Sequence, residues 1–201
     1  MTYSRWQVHN SITNKAFHNI TMLNERSTME ERTGAVTSMG KPVTLVGPEI
    51  KVGQKAPGFK LLAKDMTKVE LSQSGGKIRL LSVVPSIDTP VCDLQTQRFE
   101  AEASKFHNVV LYTISMDLPF AQARYCGANN IQNLITLSDH REASFGRAYG
   151  VLMKESRLLS RAVFIIDGED TVRYAEYVGE VGQHPDDDKA LEALGSLVGA
   201  R

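Results

Sequence analysis

The sequence predicts an α/β fold with a mixed central sheet flanked by helices. Three observations carry that prediction. From about residue 40 onward, apolar runs of strand length alternate with segments of helical period. Two of those runs, residues 78–84 and 109–114, are nearly continuous in apolar residues, as a strand covered on both faces requires. Residues 162–166 and 171–177 flank the turn sequence Asp167-Gly168-Glu169-Asp170, which makes an antiparallel hairpin near the end of the chain.

The elements follow in order from the punctuation. Residues 42–46, closed by Gly47-Pro48, read as a strand and turn, and residues 59–62 and 69–71 as further short strands. Gly75-Gly76 is a turn before the buried strand 78–84. A helical pattern covers 90–106, then comes the strand 109–114 and a short helix over 119–126, ending at Gly127. A short strand at 135–137, a helix over 142–149 closed by Gly150, the hairpin and a last helix over 186–198 complete the chain. Asp186, Asp187 and Asp188 read as helix-start charge and not as a metal site. This order fits a thioredoxin-like fold with an N-terminal β-hairpin; a doubly wound nucleotide-binding fold would need a glycine fingerprint that is missing.

Residues 1–38 differ from the rest: rich in Ser, Thr and Asn, with mixed charges and no sustained period. They read as an N-terminal extension of partly disordered character, with Met29 as an alternative start, ahead of a domain over 39–201. Composition bounds the function. The 201 residues carry 23 basic and 23 acidic side chains, which excludes a polybasic nucleic-acid binder and an acidic tail. The longest apolar runs fall far short of the roughly 20 residues of a membrane span, so neither nucleic acid nor membrane is an expected partner. Two cysteines are too few for a disulfide-scaffolded domain, and the first residues lack the pattern of a secretory signal. The expected location is the reducing cytoplasm.

The two cysteines occupy opposite ends of their helices. Thr89 followed by Pro90 is a helix start, Thr at the N-cap and Pro at the first helical position. Cys92 then falls at the third position, beside unpaired backbone N–H groups and the positive end of the helix dipole, which favour a thiolate. It shares a helix face with Phe99, Ala103 and Phe106 and so points toward the sheet. A cysteine there can also be plain packing. Cys126, just before Gly127, lies at a negative helix end, where the dipole disfavours a thiolate. That asymmetry points to a division of labour over two equal metal ligands, and His9, His18, His107, His140 and His184 are scattered with no ligand spacing. No metal and no cofactor are expected. A structural disulfide would contribute ~4 kcal/mol by loop closure, but a reducing compartment argues against it. Taken alone, Arg161 reads as an exposed charge at a strand entrance, Arg124 as a solvated helix-face charge, and the Thr89 hydroxyl as a helix cap.

Pro85-x-x-x-Thr89-x-x-Cys92 resembles the peroxidatic motif of peroxiredoxins, and the run from Pro85 to Cys92 resembles their thiol peroxidase branch. So do the segments Ser115 to Gly127 and Ser160-Arg161-Ala162-Val163. The likeness runs from about Gly40 to Leu197. It implies that Cys92 is the peroxidatic cysteine, that Cys126 resolves it within the same chain as in an atypical two-cysteine peroxiredoxin, and that Thr89 hydrogen-bonds peroxide and thiolate. It also implies that Pro85 shields the sulfur, that Arg161 stabilises its negative charge, and that hydroperoxides are reduced with thioredoxin as reductant in a homodimer. The alternative is a redox sensor using the same disulfide as a signal; a third reading is an interaction domain with two buried, inert thiols.

Overall fold

Pairing of the predicted apolar runs builds two sheets. The computed structural model describes residues 30–103, 105–106 and 108–199; the features noted within residues 1–29, Met29 included, lie outside them. The larger sheet holds seven strands among these residues: β3 (Lys60–Ala63), β4 (Lys68–Glu70), β5 (Ile78–Val83), β6 (Val109–Ser115), β7 (Ile135–Ser138), β9 (Ala162–Ile166) and β10 (Val172–Tyr177). Their spatial order is β10-β9-β5-β6-β7-β3-β4. β5, β6 and β7 run parallel, while β9, β10, β3 and β4 pair antiparallel, so the sheet is mixed. Helix α1 (Pro90–Ala103) links β5 to β6, and α2 (Pro119–Ala128) links β6 to β7, as parallel neighbours demand.

Every residue of β5 is buried, and alternate side chains feed opposite faces. Leu81 and Val83 join one cluster with Phe59, Phe145, Tyr149 and Phe164. Ile78 and Leu80 join the other with Phe99 of α1, Tyr125 and Cys126 of α2, and Ala190 and Leu194 of α4 (Asp187–Gly199). Three helices thus cover one face. The other carries the short helix α3 (Ser144–Ala148) beside that aromatic cluster. Among the described residues no helix is long and apolar enough to cross a membrane.

The smaller sheet, ordered β1-β2-β8, joins β1 (Glu31–Ser38), β2 (Lys41–Val46) and β8 (Leu152–Met153), all antiparallel. β1 and β2 form the N-terminal hairpin. β1 lies inside the stretch that sequence reading assigned to the extension. Its register shifts between Arg32 and Val36, around Gly34 at φ 68°, and this bulge destroys the period-2 signal. Arg32 anchors the strand: Nε donates to the Gly47 carbonyl at 3.1 Å and the guanidinium lies 5.2 Å from the Tyr177 ring centroid. Two other differences are local. A 3₁₀ turn at Leu71–Ser74 follows β4, and α3 starts later than predicted because Ala143 adopts a left-handed conformation at φ 50°.

Candidate active site

The site forms where β5 ends at the carboxyl edge of the parallel strands. Val84 N–H still donates to Ile114 O at 3.0 Å, and the chain then leaves the sheet through Pro85. Thr89 C=O accepts the first intrahelical bond from Asp93 N–H at 2.8 Å, so Thr89 is the N-cap, Pro90 the first helical residue and Cys92 the third. The Thr89 hydroxyl lies close to the sulfur. It lies 2.8 Å from Cys92 Sγ and 3.1 Å from Ser86 O, and its one proton serves one of them at a time. Cys92 itself is fully buried beneath the exposed residues Asp88, Thr89 and Pro90 and the half-buried Pro85.

Arg161 overturns the expectation formed from the residues alone. It sits just before β9 but is only 2% exposed, and its Nη2 lies 3.3 Å from Cys92 Sγ. Burial of a guanidinium requires acceptors, and two distant residues supply them: Val181 O takes Nε at 3.1 Å and Gln95 Oε1 takes Nη1 at 2.5 Å. Gln95, also fully buried, is fixed in turn by donating from Nε2 to Ser82 Oγ of β5 at 2.8 Å. Sequence reasoning missed Gln95, although its place three residues after Cys92 puts it on the same helix face. Arg124, by contrast, is exposed. A buried cation 3.3 Å from sulfur stabilises negative charge there, and the Thr89 hydroxyl adds a second donor; together they suit a nucleophilic thiolate.

A second polar group holds the loop before Cys92. Asp117 Oδ2 accepts from Ile87 N–H at 2.7 Å and Ser115 Oγ at 2.7 Å, and Oδ1 accepts from Ser86 Oγ at 2.8 Å. Ser86 is therefore gripped through its hydroxyl while its carbonyl faces Thr89. Gln122 of α2 ties into the same group, donating to Ser115 Oγ at 3.1 Å and Leu137 O at 2.9 Å. Asp117 belongs to a segment that the sequence singled out, but its partners Ser86 and Ile87 lie about thirty residues away and left no local signal.

Cys126 stands apart from this constellation. Its Sγ lies 3.5 Å from Thr136 Oγ1 of β7, and the residue is buried among Phe99, Ile131 and Leu134. Both cysteines are free thiols. The helix end also differs from expectation: Gly127 lies within α2, and Asn130 supplies the left-handed residue at φ 53°. Ile131 N–H then donates to Cys126 O at 3.0 Å, the longer bond of a Schellman cap, with Ile131 buried against the same cluster. Asparagine tolerates that conformation through its short polar side chain, so the helix runs on past the glycine. Cys126 still lies in the last turn. Among the described residues no three His, Cys, Asp or Glu side chains converge as metal ligands.

The chain resembles known proteins over most of its length. Residues 51–194 match the family model described as Redoxin. The chain is 55% identical over 163 residues to a thiol peroxidase of Bacillus subtilis (strain 168), covering 81% of this chain and 98% of that protein. It is 55% identical over 159 residues to a thiol peroxidase of Halalkalibacterium halodurans, covering 79% and 96%. Among solved structures, a peroxiredoxin-like protein from Aquifex aeolicus superposes with a TM-score of 0.78 at 40% identity, covering 85% of this chain and 99% of that one. A thiol peroxidase from Chromobacterium violaceum shares the fold, with a TM-score of 0.72 at 22% identity over 80% of this chain and 95% of that one.

Proposed function

The chain belongs to the Redoxin family and is a thiol-dependent peroxidase of the peroxiredoxin type, and we propose on that premise that Cys92 attacks the peroxide and Cys126 resolves the product. The observation that carries this reading is the pair of donors on Cys92 Sγ, Arg161 Nη2 at 3.3 Å and Thr89 Oγ1 at 2.8 Å. The Cys92 thiolate attacks one oxygen of a hydroperoxide; the O–O bond breaks, the departing alkoxide or hydroxide takes a proton from water and leaves as alcohol or water, and Cys92 becomes a sulfenic acid. Arg161 and Thr89 stabilise the charge that moves from sulfur to the departing oxygen. Pro85, half-buried at the loop start, limits water at the sulfur. The Cys126 thiol then attacks Cys92 Sγ, forming the disulfide and releasing water. A dithiol reductant returns both sulfurs to thiols; thioredoxin in the cytoplasm is our candidate. Leu94, Leu118 and Phe120, near the starts of the two cysteine helices, are 57%, 52% and 61% exposed and suit the apolar contact of a homodimer. The redox-sensor alternative is disfavoured by the relatives, which are named as peroxidases.

The test is peroxide-dependent NADPH consumption with thioredoxin and its reductase. Sustained turnover is expected, with intact mass showing a loss of 2 Da when reduced protein meets one equivalent of peroxide. A single oxidation without turnover would return the sensor reading, and failure of the thiols to react would remove both.

A further inference from the structure

Each cysteine has an immediate neighbour that reaches the other cysteine's helix. Tyr125, next to Cys126, donates its hydroxyl to Oδ1 of Asp93, next to Cys92, at 2.6 Å. The carboxylate is held for this bond by Gln97 Nε2, which lies 2.9 Å from both of its oxygens. Tyr125 is 7% exposed and packs in the cluster that holds Phe99 of α1. Burial and the Asp93 carboxylate both push the Tyr125 phenol well above its usual range, so it remains a proton donor.

The position of this bond matters because the two sulfurs are held by different partners and must leave them to meet. Cys92 Sγ is engaged by Arg161 and Thr89, Cys126 Sγ faces Thr136, and both residues are buried on different helices. The chain on either side of Cys126 is firmly held. On one side Gln122 is bonded to Ser115 and Leu137. On the other the Glu100 carboxylate accepts the N–H groups of Gln132, Asn133 and Leu134 at 2.8–3.1 Å. Residues 123–131 are the span between these anchors, and Tyr125 ties that span to the first turn of α1.

We propose that the Tyr125–Asp93 hydrogen bond is the latch that sets the fate of the Cys92 sulfenic acid, with both residues holding Cys126 back from the second step; this rests on the reading of Cys126 as the resolving cysteine. While the latch is closed, Cys126 stays with Thr136 and a second hydroperoxide oxidises the sulfenic acid to sulfinic acid, releasing an alcohol or water. When it opens, α2 loosens, Cys126 reaches Cys92 Sγ, and the disulfide forms with loss of water. The two outcomes compete for one intermediate, so a weaker latch favours the disulfide.

Tyr125→Phe in the full chain keeps the ring and removes the donor. Reduced protein is mixed with increasing hydrogen peroxide, thiols are blocked, and intact mass separates disulfide (−2 Da) from sulfinic acid (+32 Da). The disulfide should form about 3–10-fold faster, and the peroxide concentration giving half sulfinic acid should rise by the same factor. The rate at which the first equivalent is consumed should not change. Asp93→Ala should reproduce the shift, and adding it to Tyr125→Phe should give no more, since the two act through one bond. An unchanged partition in both variants, with disulfide still forming in the parent, would overturn the latch, as would slower disulfide formation. Absence of a Cys92–Cys126 disulfide in the parent would overturn the resolving reading, and the latch with it.

Discussion

Cys92 and Cys126 are buried almost equally, at 0% and 4% exposure, yet their surroundings have little in common. Cys92 sits in the first turn of a helix with a guanidinium and a hydroxyl directed at its sulfur. Cys126 sits in the last turn of a helix, in an apolar cluster, with a threonine hydroxyl at 3.5 Å. The comparison teaches that burial alone says little about a thiol. What separates the two sulfurs is whether positive charge and donors were buried with them, and which end of a helix dipole each one meets.

The sharpest way to break this comparison is to delete each sulfur in turn. Cys92→Ser should lose peroxide reduction entirely, while Cys126→Ser, given a single equivalent of peroxide, should consume it and stop at the sulfenic acid, trapped by a dimedone adduct on Cys92. The reverse pattern would exchange the two roles. The next largest effect tests the donors. Arg161→Met keeps bulk and deletes charge, and should slow the first oxidation roughly 10²-fold in stopped-flow peroxide consumption. Thr136→Val, which removes the polar neighbour of Cys126, should leave that step within about twofold. Equal effects would mean that the surroundings of the sulfurs do not distinguish them.

A smaller effect is expected one shell out. Asp117→Asn retains the shape but weakens the bonds to Ile87 N–H and Ser86 Oγ that hold the loop carrying Pro85 and Thr89. About tenfold slower peroxide attack is expected, with the melting temperature little changed; an unaltered rate would make Asp117 a loop fastener without influence on the chemistry. The smallest signal is one of dynamics. Hydrogen exchange should show residues 123–131 loosened in the oxidised protein, while β5, buried over its whole length, keeps its protection. Equal protection of 123–131 in both states would mean that the disulfide forms without any opening of α2.

The parts legible in the sequence are those encoded by neighbours. Thr89-Pro90 announced the helix start and so placed Cys92 at its third position. The continuous apolar runs announced β5 and β6. Where a local rule had two solutions, the reading went wrong: Gly127 was a plausible helix stop, but Asn130 takes that role because Ile131, next to it, can then be buried. β1 was hidden by the bulge at Gly34, and β8, two residues long, has no period to detect. The site was half legible for the same reason. Nothing near Arg161 says that Gln95 and Val181 will accept its protons, and nothing near Asp117 says that Ile87 will donate to it. Those contacts exist only after β5, β6 and β9 have aligned.

Arg161 is a buried cation whose hydrogen-bond partners are two neutral oxygens and one sulfur. In the proposed reaction the Cys92 thiolate serves as its counter-charge. The proposed disulfide would remove that charge and strand the guanidinium, at a cost on the order of 3–5 kcal/mol for as long as water stays out. Because the cost would fall on the oxidised form alone, it would raise the reduction potential of the proposed disulfide, by roughly 60–110 mV at about 30 mV per 1.4 kcal/mol. The arrangement proposed to prepare the sulfur for attack would thus also store an electrostatic spring in the oxidised protein, and its release would favour the return of both thiols.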